Sequence, residues 1–234
     1  YDRDIPYYHA FDMVLYNNPA FSKDMTTNEK LTYCGVKNKY LWKMCSFKKL
    51  RSNKTKNELL TKKRDVDITF VGSLFPCKMK LLAAVKKEFG TKFRLHGLAN
   101  WKKNFYFNVV YGFPCLVRPI SFDEYVPLYE RTKIGINTHI NGPYTLGGYR
   151  LFDLPANGVM QISDGGDYLD EFFKVGVEIE RYDTSDELID KIKFYLNNDS
   201  KREKIARAGY DRVMRDHTIE KRLQDLSDIT KIKL

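Results

Sequence analysis

The sequence is poor in cysteine, histidine and tryptophan, and what it has of them is dispersed. Its four cysteines, Cys34, Cys45, Cys77 and Cys115, form no Cys-x-x-Cys pair and have no histidine pair nearby. That spacing supports neither a zinc site nor a disulfide framework, and reduced, structural cysteines in a cytoplasmic protein are expected. Long hydrophobic runs are missing too. None approaches the roughly 18 residues of a membrane span, and no signal peptide opens the chain. The chain starts at Tyr1 rather than at methionine, which suggests a fragment of a longer protein. There is no internal repeat and no low-complexity tract. The P-loop pattern GxxxxGK[ST] and the GxGxxG fingerprint are both absent, as are a Ser-His-Asp order, a metal-ligand cluster and a carboxylate pair.

What is present suffices for a folded body. With 234 residues and 43% apolar composition, the chain can build the core of one domain, or of one domain and part of another. The net charge of +10 suggests a polyanionic partner: nucleic acid, an anionic membrane surface or a phosphorylated ligand. The densest basic stretch holds Lys48, Lys49, Arg51, Lys54, Lys56, Lys62, Lys63 and Arg64. It lies in a segment with little apolar content, from Phe47 to Arg64, and reads as the solvated face of an interdomain linker. Ahead of it come a strand (Phe11–Tyr16), a helix (near Ala20–Tyr33) and a short strand (Lys39–Met44).

Beyond the linker the pattern becomes a regular alternation. The segments "VDITFVGS", "KFRLHG", "KIGIN", "VMQIS" and "VEIERY" read as strands. Between them, Pro76 opens a helix whose Leu81, Leu82, Val85 and Phe89 share a face, and Ser121 with Glu124 forms a capping box for a helix carrying Tyr125, Leu128 and Tyr129. Further helices are expected from Tyr149 to Asn157-Gly158, which stops the helix, and from Tyr168 to Phe173. Three more close the chain: one capped by Thr184 and Glu187, one by Ser200 and Glu203, and one beginning at Thr218. The fold class is therefore α/β, a Rossmann-like parallel sheet with helices on both faces and a helical C-terminus. The expected divisions are 1–50; 51–64, a basic linker; and 65–234, a ligand-binding Rossmann domain.

In such sheets ligands sit at the carboxyl ends of the strands. That rule selects Gly72-Ser73, Gly97, Asn137–Gly142 and Ser163–Gly166. Gly72-Ser73 leads into a helix, whose exposed amides suit an anion. Lys78 in its first turn opposes the helix dipole, which fits a lysine kept for a phosphate as well as a solvated surface lysine. In "INTHINGPYTLGGYR", Gly147 and Gly148 let the backbone approach a ligand, Tyr149 and Arg150 follow, and Arg150 can add a bidentate phosphate contact. Asp153, one turn on, can accept two hydroxyl bonds, as a ribose offers. His139 sits at a strand end, where a general base would act, although a single histidine is more often structural. His217 has a capping or packing role. The aromatic run Phe105, Tyr106, Phe107, Tyr111 and Phe113 fits core or acceptor-loop packing better than base stacking.

The blocks "YVPLYERTKIGIN", "YRLFDLPANGVMQISD", "YLDEFFKVGVEIERYDTSDELIDKIKFYLNND" and "REKIARAGYDRVMRDHTIEKRL" resemble, in order, the motifs of CgeB-like glycosyltransferases, which share the glycosyltransferase B fold. The resemblance spans Val66 to Leu226, and residues 1–50 look like a remnant of the family's N-terminal Rossmann domain. It implies that the C-terminal Rossmann domain binds a nucleotide-diphosphate sugar as donor substrate, with no obligatory cofactor or metal. The diphosphate would face Gly72, Ser73, Lys78, Gly147, Gly148, Tyr149 and Arg150, the ribose Asp153, and the base Arg118, Pro119 and Ile120. Related retaining enzymes carry two glutamates eight positions apart; here the second falls on Asp153 and the first on Thr145, which cannot act as a carboxylate. The acceptor, whether glycan, protein or lipid, would be held largely by the N-terminal domain. Two other classes remain open: a basic Rossmann-like module for nucleic acid or protein, disfavoured by the lack of a nucleic-acid motif, and a non-catalytic glycosyltransferase-like domain. Peripheral membrane contact also remains open.

Overall fold

The computed structural model describes residues 5–17, 25–113, 116–139, 148–166 and 168–231. Its centre is a five-stranded, all-parallel sheet. Strands β3 (Val66–Val71), β4 (Phe93–His96), β5 (Thr132–Asn137), β6 (Met160–Asp164) and β7 (Glu180–Tyr182) lie in the order β4-β3-β5-β6-β7. The middle strands are buried almost without interruption, as a parallel sheet covered on both faces requires. Ile68, Phe70, Ile134, Ile136, Met160 and Ile162 form the spine of the main core. A smaller parallel pair, β1 (Val14–Tyr16) with β2 (Lys39–Leu41), precedes the sheet and packs with α1 (Thr27–Tyr33) around Val14, Leu31 and Val36.

The helices begin and end where local chemistry dictates. The short α2 (Lys56–Thr61) starts at a Thr55/Glu58 capping box. Pro76 occupies the first turn of α3 (Pro76–Phe89), and the Ser121/Glu124 capping box opens α5 (Phe122–Arg131). The next helix, α6 (Arg150–Ala156), closes at Asn157, and Gly158 takes φ +67°, a left-handed conformation suited to glycine. A short α7 (Tyr168–Phe172) links β6 to β7, and Thr184 caps α8 (Ser185–Leu196).

Several expectations shift. The helix predicted from near Ala20 is seen over Thr27–Tyr33; residues 18–24 lie outside the described ones. Helix α9 (Asp199–Asp216) starts at Asn198, so Ser200 lies inside it and does not cap it. The final helix, α10 (Ile219–Thr230), starts at Thr218 as expected. The aromatic run forms a helix not foreseen, α4 (Trp101–Tyr111), capped by Asn100, whose side chain accepts from Lys103 N at 2.9 Å. Among the described residues no helix is long and apolar enough to cross a membrane.

The basic segment is solvated only in part, because several of its cations dock onto the rest of the fold. Arg64 donates to the carbonyls of Tyr129, Thr132, Leu59 and Asn157, which tie it to α5, β5 and the end of α6. Burial draws its pKa down to about 10. Lys54, Lys62 and Ser52 converge on Glu130, and Arg51 grips Glu220 with bonds of 2.6 and 2.9 Å. Ser46 adds a backbone bridge, its amide donating to His217 O and its carbonyl accepting from Ile219 N. Arg51, Lys54, Lys56, Lys62 and Arg64 are paired with residues far away in the chain, which composition alone does not show, while Lys48, Lys49 and Lys63 are exposed.

Candidate functional site

Two cations meet at the carboxyl end of the sheet. Arg150, the first residue of α6, reaches back over β3, where its Nε donates to Val71 O at 2.6 Å. Its Nη1 donates to Asn137 Oδ1 at the end of β5, 3.0 Å away, and the guanidinium lies 4.4 Å from the Phe70 ring centroid. Gly72 makes this approach possible: a Cβ there would stand 1.9 Å from Arg150 Nη2. Lys78, in the first turn of α3, is buried and not the solvated surface lysine of the alternative reading. Its Nζ donates to Thr138 O at 2.7 Å and lies 5.9 Å from the same Phe70 ring. Burial, and secondarily Arg150, lower its pKa to about 8, with Asp164 pulling the other way.

Asp164, the last residue of β6, closes this group. Its carboxylate accepts from Thr138 Oγ1 at 2.8 Å and from the His139 amide at 2.8 and 3.1 Å. It also lies 2.7 Å from His139 Nδ1. A carboxylate there selects the Nδ1–H tautomer, which leaves Nε2 as an acceptor facing Asn137 Nδ2 at 3.4 Å. Lys78, Thr138, Asp164, His139, Asn137 and Arg150 thus form one connected chain of polar contacts across the ends of β3, β5 and β6. Lys78 and Arg150 face the single carboxylate of Asp164, so these groups carry a net positive charge suited to an anion.

The remaining predicted residues fall around it. Ser73 is exposed beside Gly72. Gly148 and Tyr149 precede α6 and accept its first backbone bonds, and the Tyr149 ring packs edge-on against Phe47 at 5.4 Å. Gly147 and Thr145 lie outside the described residues. Gly97 N donates to Arg118 O at 3.1 Å, and a Cβ on Gly97 would sit 2.5 Å from Gly72 O. The segment Arg118-Pro119-Ile120 therefore runs along the same rim, with Arg118 and Pro119 exposed and Ile120 half-buried.

Two expectations need correction. Arg150 is not free for a fully bidentate phosphate contact, because Nε and Nη1 already hold Val71 and Asn137; Nη2 makes no hydrogen bond among the described residues. Asp153 is 1% exposed and presents no carboxylate to a ribose. Its oxygens accept from Ser46 Oγ at 3.2 Å and from Tyr125 OH at 3.4 Å. Burial pushes its pKa up to about 7 against those two bonds and the pull of Arg150. Ribose contact would require Ser46 or Tyr125 to move aside. His217 has the packing role expected: it sits among Phe152, Phe172 and Phe173, with its ring nitrogens 3.0 Å from Phe172 O and 2.8 Å from Arg222 Nη2. Burial holds its pKa down at about 4.

Sequence reading named Lys78, Arg150 and His139 but not Asn137, Thr138 or Asp164 as a set. The signal for the missing three was positional, since all lie in the strand-end segments that the parallel-sheet rule selects. Among the described residues no group of three or more His, Cys, Asp and Glu side chains stands where it could hold a metal ion.

Comparison with known proteins adds a family. Residues 78–228 match the family model described as glycosyl transferase-like. No curated protein sequence is significantly similar. Among solved structures, Anabaena HepE in complex with UDP and glucose superposes with a TM-score of 0.67 at 13% identity, over 99% of this chain and 66% of that one. Sucrose-phosphate synthase from Thermosynechococcus elongatus gives 0.68 at 12% identity, over 97% and 60%. The C-terminal domain of the group 1 glycosyl transferase LpcC from Francisella tularensis gives 0.51 at 16% identity, over 72% and 95%. The chain therefore spans under two thirds of the length of HepE and of the synthase. At these identities the likeness establishes the fold, and the family model establishes the membership.

Proposed function

This chain belongs to the glycosyl transferase-like family, with the glycosyltransferase B fold, and from that premise we propose that it is the donor-binding half of an enzyme that moves a sugar from a nucleotide-diphosphate sugar to an acceptor. The observation that carries the reading is the convergence of Lys78 and Arg150 on the strand ends beside Gly72. A diphosphate lying over Gly72 and Ser73 meets the Lys78 ammonium, Arg150 Nη2 and the residues before α6, Gly148 and Tyr149, which Gly147 precedes in sequence. These groups oppose the negative charge that grows on the leaving diphosphate as the glycosidic bond breaks, so the reading needs no obligatory metal. The base lies along Arg118-Pro119-Ile120. His139, with Asp164 behind it, takes the place of a general base at the same strand end. The finer placement among CgeB-like enzymes rests on the order of the four sequence blocks, and the acceptor belongs to the part of the enzyme preceding the linker.

Calorimetry tests the donor site. Uridine diphosphate is the first probe, because Anabaena HepE holds UDP, with other nucleoside diphosphates and the bare nucleosides beside it. The expected result is diphosphate-dependent binding that weakens about tenfold or more in Lys78→Met, the value of a charge-assisted bond. Failure of every nucleotide, together with tight and steeply salt-dependent binding of oligonucleotides, would replace this reading with the nucleic-acid module.

A further inference from the structure

Helix α4 is apolar on both sides, yet only one side is packed. Asn104 and Phe107 face the interior, while Trp101, Phe105 and Val109, stacked one turn apart, are 74%, 68% and 65% exposed. Tyr106 and Val110 widen that exposed stripe. A helix that is apolar all round is ordinarily enclosed, and an exposed apolar face of this width marks an interaction surface.

Charge identifies what the face meets. From Phe89 to Phe122 the chain has no Asp or Glu, and its five charged residues, Lys92, Arg94, Lys102, Lys103 and Arg118, are all basic. Lys102 flanks the aromatic stripe, with Nζ 5.6 Å from the Trp101 ring centroid. Amphipathic aromatics beside lysine, without a compensating acid, are the composition of a helix that lies in the headgroup region of a bilayer. We propose that the exposed face of α4 binds anionic phospholipid membranes. Trp101, Phe105 and Val109 enter the boundary between headgroups and acyl chains, and Lys102 meets the lipid phosphates. The surface is separate from the Lys78–Arg150 group, so it stands whether or not the donor reading does.

The test is co-sedimentation of the chain with vesicles of equal parts phosphatidylglycerol and phosphatidylcholine, against vesicles of phosphatidylcholine alone. Tryptophan emission is followed in a Trp42→Phe background, which leaves Trp101 as the only tryptophan. The expected result is binding to the anionic vesicles with a blue shift of Trp101. A loss of about fivefold is expected for Lys102→Gln, from the value of one basic residue near an anionic surface. Phe105→Ser, at an exposed position, should abolish the shift with an unchanged melting temperature. Equal binding to both vesicles, or to neither, overturns the proposal. So does a concentration-dependent dimer that Phe105→Ser dissolves, which would make the occupant a second copy of the chain.

Discussion

Replacing Asp153 by asparagine should make the protein less sensitive to alkaline pH. The carboxylate is 1% exposed and is held, among the described residues, by Ser46 Oγ and Tyr125 OH, so its charged form is poorly solvated and its pKa rises from 3.8 to about 7. A folded pKa above the unfolded one means that the folded chain binds the proton more tightly. The stability linked to that proton is fully present below about pH 4 and is lost as pH climbs through 7. A shift of this size corresponds to about 4 kcal/mol at most, of which roughly 2.5 kcal/mol falls between pH 5 and pH 8. Asparagine keeps the shape and can both donate and accept, but it has no charge to desolvate. Urea unfolding of wild type and Asp153→Asn at both pH values isolates the term, because every other titrating group cancels in the difference. The variant should gain roughly 2.5 kcal/mol relative to wild type on going from pH 5 to pH 8, a midpoint change of about 1 M for an ordinary dependence on urea. A difference that stays flat with pH would refute the argument: the carboxylate would then be solvated, and a ribose contact would return as a reading of Asp153.

Gly72→Ala places a Cβ 1.9 Å from Arg150 Nη2, at the far end of a flexible side chain. The guanidinium should swing away from Val71 and Asn137, so calorimetry should show UDP affinity falling about as far as in Arg150→Met, with the fold retained by circular dichroism. Lys78 carries its proton below its lowered pKa of about 8, so UDP affinity should fall as pH rises from 7 to 9, and Lys78→Arg should flatten that profile. Arg64→Met leaves four carbonyls without their donor, and chemical denaturation should show a loss of about 3 kcal/mol, since bonds from a charged donor are the stronger ones.

Why some of this was legible and some was not comes down to range. The alternation of strands could be read because each central strand is a short β-branched run with its own turn chemistry, as in Val66–Val71 followed by Gly72. Helix α4 was not, because Trp101, Phe105 and Val109 make its outer face as apolar as the inner one that carries Phe107, which erases the 3.6-residue contrast a helix normally shows. The linker was misread for a different reason: Glu130, the partner of Lys54 and Lys62, stands 76 and 68 positions away, beyond any local pattern. The site divides along the same line. Chemical type at each strand end was readable, so Lys78, Arg150 and His139 could be named. Their environment is a product of the sheet, because the β4-β3-β5-β6 order brings Phe70 beneath both cations and Asp164 alongside His139 from 25 positions away. Asp153 shows the consequence. Its position in the motif was visible, but its burial depends on Ser46, 107 positions earlier, and on Tyr125, 28 positions earlier, and burial decides whether a carboxylate is a ligand or a buried charge. Sequence motifs therefore locate the site to a strand end, and the long-range partners decide what each residue there is able to do.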